Sequence, residues 1–263
     1  MSASVVQFTD THVVAPGDTY FGVDTARYLA AAIDAVHALP EAPAFVVVTG
    51  DLVQHGRAAE YERFRTIMAR LAVPYFAIPG NHDVRETFRA SLPPAAFGAS
   101  ADAPIRFAID GFAIRLVGLD VTAPPPWPGA EISRDVLAWV DATLATDTRP
   151  TIVALHHPPF RSGLHYLDIF GFRGARALRR IVDRHPHVRR VIAGHIHTVK
   201  ARRWRSAVAS SGPSTAPQVV PELFERRVLG MRHERPGFAI HLAHDDGGFT
   251  TRVVRADGDG RYG

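Results

Sequence analysis

Cysteine is absent from the 263 residues, and Lys200 is the only lysine among 30 basic side chains. Without thiols the chain has no disulfide framework, no thiolate nucleophile and no zinc-finger site. Any metal must therefore be held by nitrogen and oxygen donors. Long apolar runs are missing too: no stretch approaches the roughly 18 uninterrupted residues of a membrane-spanning helix. At the N-terminus, Val5, Val6 and Phe8 lead straight to Asp10 with no basic region or long apolar segment before them, so a cytoplasmic protein without a membrane partner is expected. The formal net charge is only +4. Arg179, Arg180, Arg184, Arg189 and Arg190 cluster on a predicted helix and its exit, where they read as a solvated face, and no specific nucleic-acid partner is expected.

What is present suits a globular enzyme. Hydrophobic residues at 46% and charged residues at 21% are ordinary for a chain that folds on its own, and the length fits one α/β domain over residues 1–263. Short β-type runs at 3–9, 44–49 and 74–78 alternate with amphipathic stretches at 24–38 and 58–71. That order predicts a largely parallel sheet with helical crossovers. Further strands are expected at 105–109, 112–119, 151–155 and 188–193, with helices at 133–144 and 173–184. The remainder reads mainly as β, at 207–210, 238–241 and 250–254. Asp110-Gly111 signals a tight hairpin between 105–109 and 112–119. The fold class is thus α/β, with mixed sheets flanked by helices. The Pro-rich stretch 123–128 and the Ser/Pro-rich segment 211–221 read as irregular loops, and 211–238 as a possible cap or oligomerisation segment.

The polar motifs fall at strand exits, where loops of an α/β sheet converge and ligands gather. Asp10-x-His12 follows the first strand, Gly50-Asp51 the second, and Gly80-Asn81-His82-Asp83 the third. His156-His157-x-Pro159 contains two candidates at the end of a later strand, and Gly194-His195-x-His197 follows the strand ending at Ala193. Singly, each has a plain reading as a cap, a turn or a surface histidine. Five such motifs, all at strand exits, make coincidence a poor explanation.

The ordered set Asp10-x-His12, Gly50-Asp51, Gly80-Asn81-His82-Asp83, His156-x-Pro158 and Gly194-His195-x-His197 resembles the calcineurin-like metallophosphoesterase superfamily. It looks most like the branch of class III cyclic-nucleotide phosphodiesterases and glycerophosphodiesterases. The resemblance implies a four-layer α/β/β/α sandwich with two metal ions at the strand ends. Carried over by position, Asp10, His12 and His197 would hold the first ion and Asn81, His156 and His195 the second, with Asp51 bridging. His156 is preferred to His157 because the family's ligand stands two residues before Pro158; His157 then faces substrate or lies behind the ligands. His82 resembles the family's catalytic acid, while Asp83 orients it or supports the loop. His165 and His55 are loop histidines within possible reach of the site.

The implied cofactors are two divalent or trivalent ions, and mixed N/O ligation suits Fe, Mn, Zn or Co. Two ions at roughly 3.5 to 4 Å lower the pKa of a water until it serves as nucleophile near neutral pH. The Ser/Thr protein phosphatases of the superfamily carry a phosphate-gripping Arg where this chain has His55, and a Glu where it has Asp83. A phosphomonoester dianion benefits from bidentate Arg contacts, so the missing Arg favours a small diester, either a cyclic nucleotide such as cAMP or a glycerophosphodiester. A monoesterase, a nuclease and a metal-free binding scaffold are the alternatives. Substrate choice is expected from loops 123–128, 160–172 with Tyr166, and 211–238. Leu223, Phe224, Val228, Leu229 and Met231 are candidates for a homodimer or higher homo-oligomer interface, or for core.

Overall fold

The computed structural model describes residues 3–101, 103–124, 127, 129–220 and 230–256. In chain order the first half contains β1 (Ala3–Phe8), α1 (Thr25–His37), β2 (Phe45–Thr49), α2 (Ala58–Met68), β3 (Tyr75–Ile78) and α3 (Arg85–Ser91). After a 3-10 turn at Pro94–Phe97 come β4 (Arg106–Ile109), β5 (Arg115–Leu119), β6 (Ala130–Glu131), α4 (Arg134–Ala145), β7 (Thr151–Leu155), α5 (His165–Asp168), β8 (Phe172–Arg173), α6 (Ala175–Val182) and β9 (Val188–Ala193). The chain continues through β10 (Lys200–Arg203), β11 (Val208–Ser211), β12 (Gln218–Val219), β13 (Met231–Arg232), β14 (Gly237–Ala243) and β15 (Phe249–Arg255).

Eleven of these strands form two large mixed sheets, while β6 pairs with β8 and β12 with β13. One has the order β15-β14-β1-β2-β3 and the other β10-β11-β9-β7-β5-β4. The first has parallel β1-β2-β3 with antiparallel β14 and β15 on one side, and the second has parallel β11-β9-β7-β5 between antiparallel β4 and β10. The central strands β2, β5 and β7 are apolar on both faces and wholly buried, as strands covered on both sides must be. Sheet packs on sheet through β2 against β7 and β3 against β5; α1, α2 and α3 pack together in one helical group and α4 and α6 in another, giving the layered α/β/β/α arrangement.

Helix boundaries follow local chemistry. Asp24 caps α1 by accepting from the Ala26 amide, and its other oxygen takes the Arg63 guanidinium at 2.9 Å, which ties α1 to α2. Ser133 caps α4. Glu60 accepts from the amides of Arg57 and His55 and from the His55 ring, so His55 closes the entry to α2 and does not join the metal-type cluster.

The hairpin at Asp110-Gly111 is wider than the dipeptide suggests. β4 ends at Ile109 and β5 begins at Arg115 rather than at Phe112, which leaves five residues, 110–114, in the connection. Two guanidiniums account for this: Arg115 reaches Asp110 at 2.6 Å, and Arg149 donates to the carbonyls of Asp110 and Phe112. The segment 211–221 also departs from a plain surface loop, since residues 211–219 are buried. Leu223, Phe224, Val228 and Leu229 lie outside the described residues. Among the described residues no helix is long and apolar enough to cross a membrane.

One side chain couples the two sheets directly. Gln7 of β1 is buried and donates to Thr49 Oγ1 in β2 at 2.9 Å and to the Ala193 carbonyl in β9 at 2.8 Å, while its Oε1 lies 3.1 Å from His241 Nε2 of β14. A buried amide satisfied on every side fixes one register between the layers. The C-terminal ends of β1, β2 and β9 consequently meet.

Candidate metal centre

The loops beyond β1, β2, β3, β7 and β9 bring the sequence-predicted donors into one place. The connections brace one another through backbone bonds: Asp10 N to Gly50 O, His12 N to Asp51 O, and Gly194 N to His156 O, all between 2.8 and 3.0 Å. Five of the donor residues, Asp10, His12, Asp51, His195 and His197, hold positive φ between 41° and 70°. For non-glycine residues this costs roughly 1–3 kcal/mol each, and such strain concentrates at functional sites. Close approach also demands glycine. A Cβ on Gly50, at φ +90°, would sit 2.4 Å from His156 Nδ1, and one on Gly80 would sit 2.2 Å from Asp51 Oδ1.

Three overlapping groups of donor-type side chains result, one of them His12, Asp51 and His82. Asp10, His12 and His197 converge in the first of the other two, with His197 Nε2 3.4 Å from Asp10 Oδ1 and 3.0 Å from His12 Nε2. Asp51, His156 and His195 converge in the second, with His156 Nε2 3.3 Å from Asp51 Oδ2. Asn81 Oδ1 completes it, 3.1 Å from His156 Nε2 and 2.9 Å from His195 Nδ1. Asp51 lies between the clusters, its Oδ2 also 3.6 Å from His12 Nε2.

The surrounding hydrogen bonds set the tautomers. His12 Nδ1 donates to Gln54 Oε1 at 2.7 Å, His197 Nδ1 to the Pro217 carbonyl at 2.7 Å, and His156 Nδ1 to the Thr49 carbonyl at 2.8 Å. An oxygen without a proton can only accept, so each ring presents Nε2 to the centre, the outer hydrogen bonding typical of metal-ligating histidines. Gln54 and Pro217 carry no signal of their own in the sequence. Pro217 belongs to the buried segment 211–219, where Ser214 also donates to the Asp10 carbonyl at 2.8 Å. Tyr20 is a further participant that sequence reasoning missed, its ring stacked on His12 at 4.5 Å and 8°.

Electrostatics agree with a cation site. Burial pushes the Asp10 carboxyl up, because an anion loses solvation there. Burial opposes ionisation of Asp51 as well, yet His156, His82 and His12 around it hold its carboxyl well below the usual range. Burial drives His12 and His195 well below an ordinary histidine. For His156 burial is outweighed by the Asp51 charge and hydrogen bond, which raise it to about 9. His12 Nε2 and His197 Nε2 face each other at 3.0 Å while each Nδ1 is held by an outer oxygen, so the two rings are placed as a pair of donors to a divalent ion. The donor set, nitrogens and oxygens with no sulfur, therefore fits a metal pair.

The remaining predicted residues separate. His82 lies at the rim, its amide donating to Asp51 Oδ1 at 2.8 Å and its Nδ1 to the Gln54 carbonyl at 3.0 Å. Asp83 accepts from the amides of Gly80 and Leu52 and from the Tyr61 hydroxyl, at 2.8, 3.1 and 2.8 Å, so it supports the loop that carries Asn81 and His82. Burial and the neighbouring Asp51 raise Asp83 to about 7. His157 is buried, its ring 4.2 Å from that of His195 on the side away from the cleft over the donors. His165 does not face the donors; it lines a separate depression with Lys200 and Arg202, and its neighbour Tyr166 lines the cleft instead. Helix geometry explains the correction, since adjacent residues of α5 point in different directions.

That cleft, of about 330 Å³, is walled by Tyr20, Tyr166, Leu167, Phe170, Val219 and Met231 above the donor residues. Thus two of the three loops expected to overhang the site reach it. Ala123 and Trp127 of the third line a neighbouring hollow that shares Asn81.

Comparisons with known proteins agree with this architecture. A glycerophosphodiester phosphodiesterase of Enterobacter lignolyticus is 32% identical over 82% of this chain and 78% of its own length. The 3',5'-cyclic adenosine monophosphate phosphodiesterase of Escherichia coli K12 is 30% identical over 95% of this chain and 89% of its own. The fold matches a purple acid phosphatase from yellow lupin with a TM-score of 0.72 at 14% identity, covering 100% of this chain and 52% of that one. A dimetal phosphatase from Danio rerio matches with a TM-score of 0.66 at 14% identity, over 97% and 99% of the two chains. The profile of the family described as calcineurin-like phosphoesterase matches residues 3–199, and with strand order, donor clusters and relatives in accord, the chain belongs to the calcineurin-like metallophosphoesterases.

Proposed function

We propose that this protein hydrolyses small phosphodiesters, a cyclic nucleotide such as cAMP or a glycerophosphodiester, with two metal ions held by Asp10, His12, Asp51, Asn81, His156, His195 and His197. The opposed Nε2 atoms of His12 and His197, with the Asp51 carboxylate reaching from their cluster to His156, carry the reading. When bound, the ions supply Lewis acidity, lowering the pKa of a water and neutralising charge on the phosphate oxygens.

The chain's own residues do the rest. Gln54 fixes two histidines at once, orienting His12 through its side chain and His82 through its carbonyl. With Nδ1 so engaged, His82 presents Nε2 at the rim, where its protonated form donates to the departing alkoxide. Asp83 acts as a positioning residue for that loop. Among the described residues none walling the cleft is Arg or Lys, which suits a monoanionic diester better than a dianionic monoester. Tyr20, Tyr166 and Phe170 offer aromatic surface to the non-phosphate part of the substrate.

The deciding experiment compares an aryl diester, an aryl monoester, cAMP and a glycerophosphodiester with metal-replete protein. Faster turnover of the monoester than of any diester would overturn the assignment. Alanine changes at Tyr166 and Phe170 should alter the ratio between cAMP and glycerophosphodiester rates.

A further inference from the structure

A second cavity, about 900 Å³, meets the metal-centre cleft along His195, Leu167 and Phe170, which line both. Arg161 from the loop after β7, Arg176, Arg179 and Arg180 from α6, and Arg202 and Arg203 from β10 converge on it. In the sequence the α6 arginines look like a solvated helix face. These arginines are indeed exposed, and tertiary structure adds that three segments separated along the chain line one hollow.

The positive charge there exceeds the negative. Arg179 pairs with Asp183 at 3.6 Å, but Arg161, Arg176, Arg180, Arg202 and Arg203 have no ion pair among the described residues. The carboxylate at the cavity, Asp168, is already engaged by the Ser162 and Gly163 amides and the Ser162 hydroxyl, each at 2.9 Å. A concave surface with an excess of one sign concentrates anions, and guanidinium forks suit phosphate oxygens.

We propose that this cavity is an anion subsite for a phosphate group carried on one ester arm of the substrate, remote from the diester being cleaved. The inference rests on the diesterase reading and narrows its substrate class to diesters with a further phosphate. Among the described residues the cleft over the donors has no Arg or Lys in its wall, so the arginine cavity supplies the cationic recognition. The shared wall at His195 lets one molecule span both.

The test uses two p-nitrophenyl diesters that differ only at the end of the second arm, a phosphate monoester in one and a hydroxyl in the other. For the metal-replete enzyme the phosphate-ended diester should have at least tenfold higher kcat/KM, through a lower KM. The ratio of the two kcat/KM values should fall toward one in the double variant Arg176→Ala/Arg202→Ala. A folding defect lowers both values and leaves their ratio in place, which would count against the subsite. Equal kcat/KM for the two diesters in the unaltered enzyme overturns the subsite while the diesterase reading stands. Turnover of neither overturns both. If the ratio is one and inorganic phosphate inhibits the hydroxyl-ended diester less in the double variant, the cavity takes a free anion and the substrate-arm proposal falls.

Discussion

His12 Nε2 and His197 Nε2 stand 3.0 Å apart, while the other ring nitrogen of each donates to an oxygen, Gln54 Oε1 and Pro217 O respectively. Two ring nitrogens brought together from residues 185 positions apart, both in the cluster with Asp10, suit a shared cation held by that cluster. The arrangement makes metal loading and fold mutually dependent.

Asp51→Ala removes the carboxylate common to both donor clusters and the acceptor for the His82 amide. Loss of both ions and of diester turnover is expected, measured by elemental analysis and a rate assay. His82→Ala should keep two ions per chain and lose roughly 100- to 10,000-fold in rate. Loss of metal from His82→Ala would falsify the division between ligand and acid.

Metal affinity should rise with pH. The Asp51 charge raises His156 to about 9, so below that pH its imidazole holds a proton that an incoming ion must displace. Between pH 6.5 and 8.5 the association constant for the second ion is expected to climb about tenfold per unit for the one proton released. Calorimetry in buffers of different ionisation enthalpy counts that proton. A pH-independent affinity would contradict the assignment of His156.

Gly50→Ala forces a Cβ to 2.4 Å from His156 Nδ1 at a backbone φ of +90°. Strain of about 1 kcal/mol or more, together with a displaced His156, should lower both Tm and the metal content of the second cluster. Unchanged Tm and two ions per chain would show that the loop relaxes around the methyl group.

His241, wholly buried beside Gln7, is pushed down to about 3 by burial and by Arg190. Its folded-state pKa lies below the unfolded value, so the unfolded chain binds the extra proton as pH falls below about 6.5. Stability should drop by about 1.4 kcal/mol per pH unit for this one group as pH falls through that window, and be complete above it. Urea unfolding of His241→Gln at pH 7 and pH 5 should show a slope smaller by one proton, and identical slopes would assign the effect elsewhere.

The alternating β and α runs were readable because central strands buried on both faces, such as 45–49, carry unbroken apolar sequence. The width of the β4–β5 connection was hidden, since it depends on Arg149 from a distant loop. Donor residues were legible for a similar reason: strand-end polar motifs stand out against apolar runs. Tyr20, Gln54 and Pro217 were not, because a stacking ring, an amide and a carbonyl acquire their roles only from neighbours far along the chain. His165 shows the reverse failure, a chemically suitable residue that helix geometry turns away from the cleft.

Sequence alone determined the chemistry available: nitrogen and oxygen donors without thiols, placed at strand ends, sufficient for a metal pair. Tertiary structure decided what that chemistry meets. Gln7 joins the two sheets so that β1, β2 and β9 end together, carbonyls from remote loops choose the histidine tautomers, and arginines from three segments share a cavity beside His195. Donor identity is a property of single residues, whereas distance, tautomer and charge concentration are properties of long-range packing.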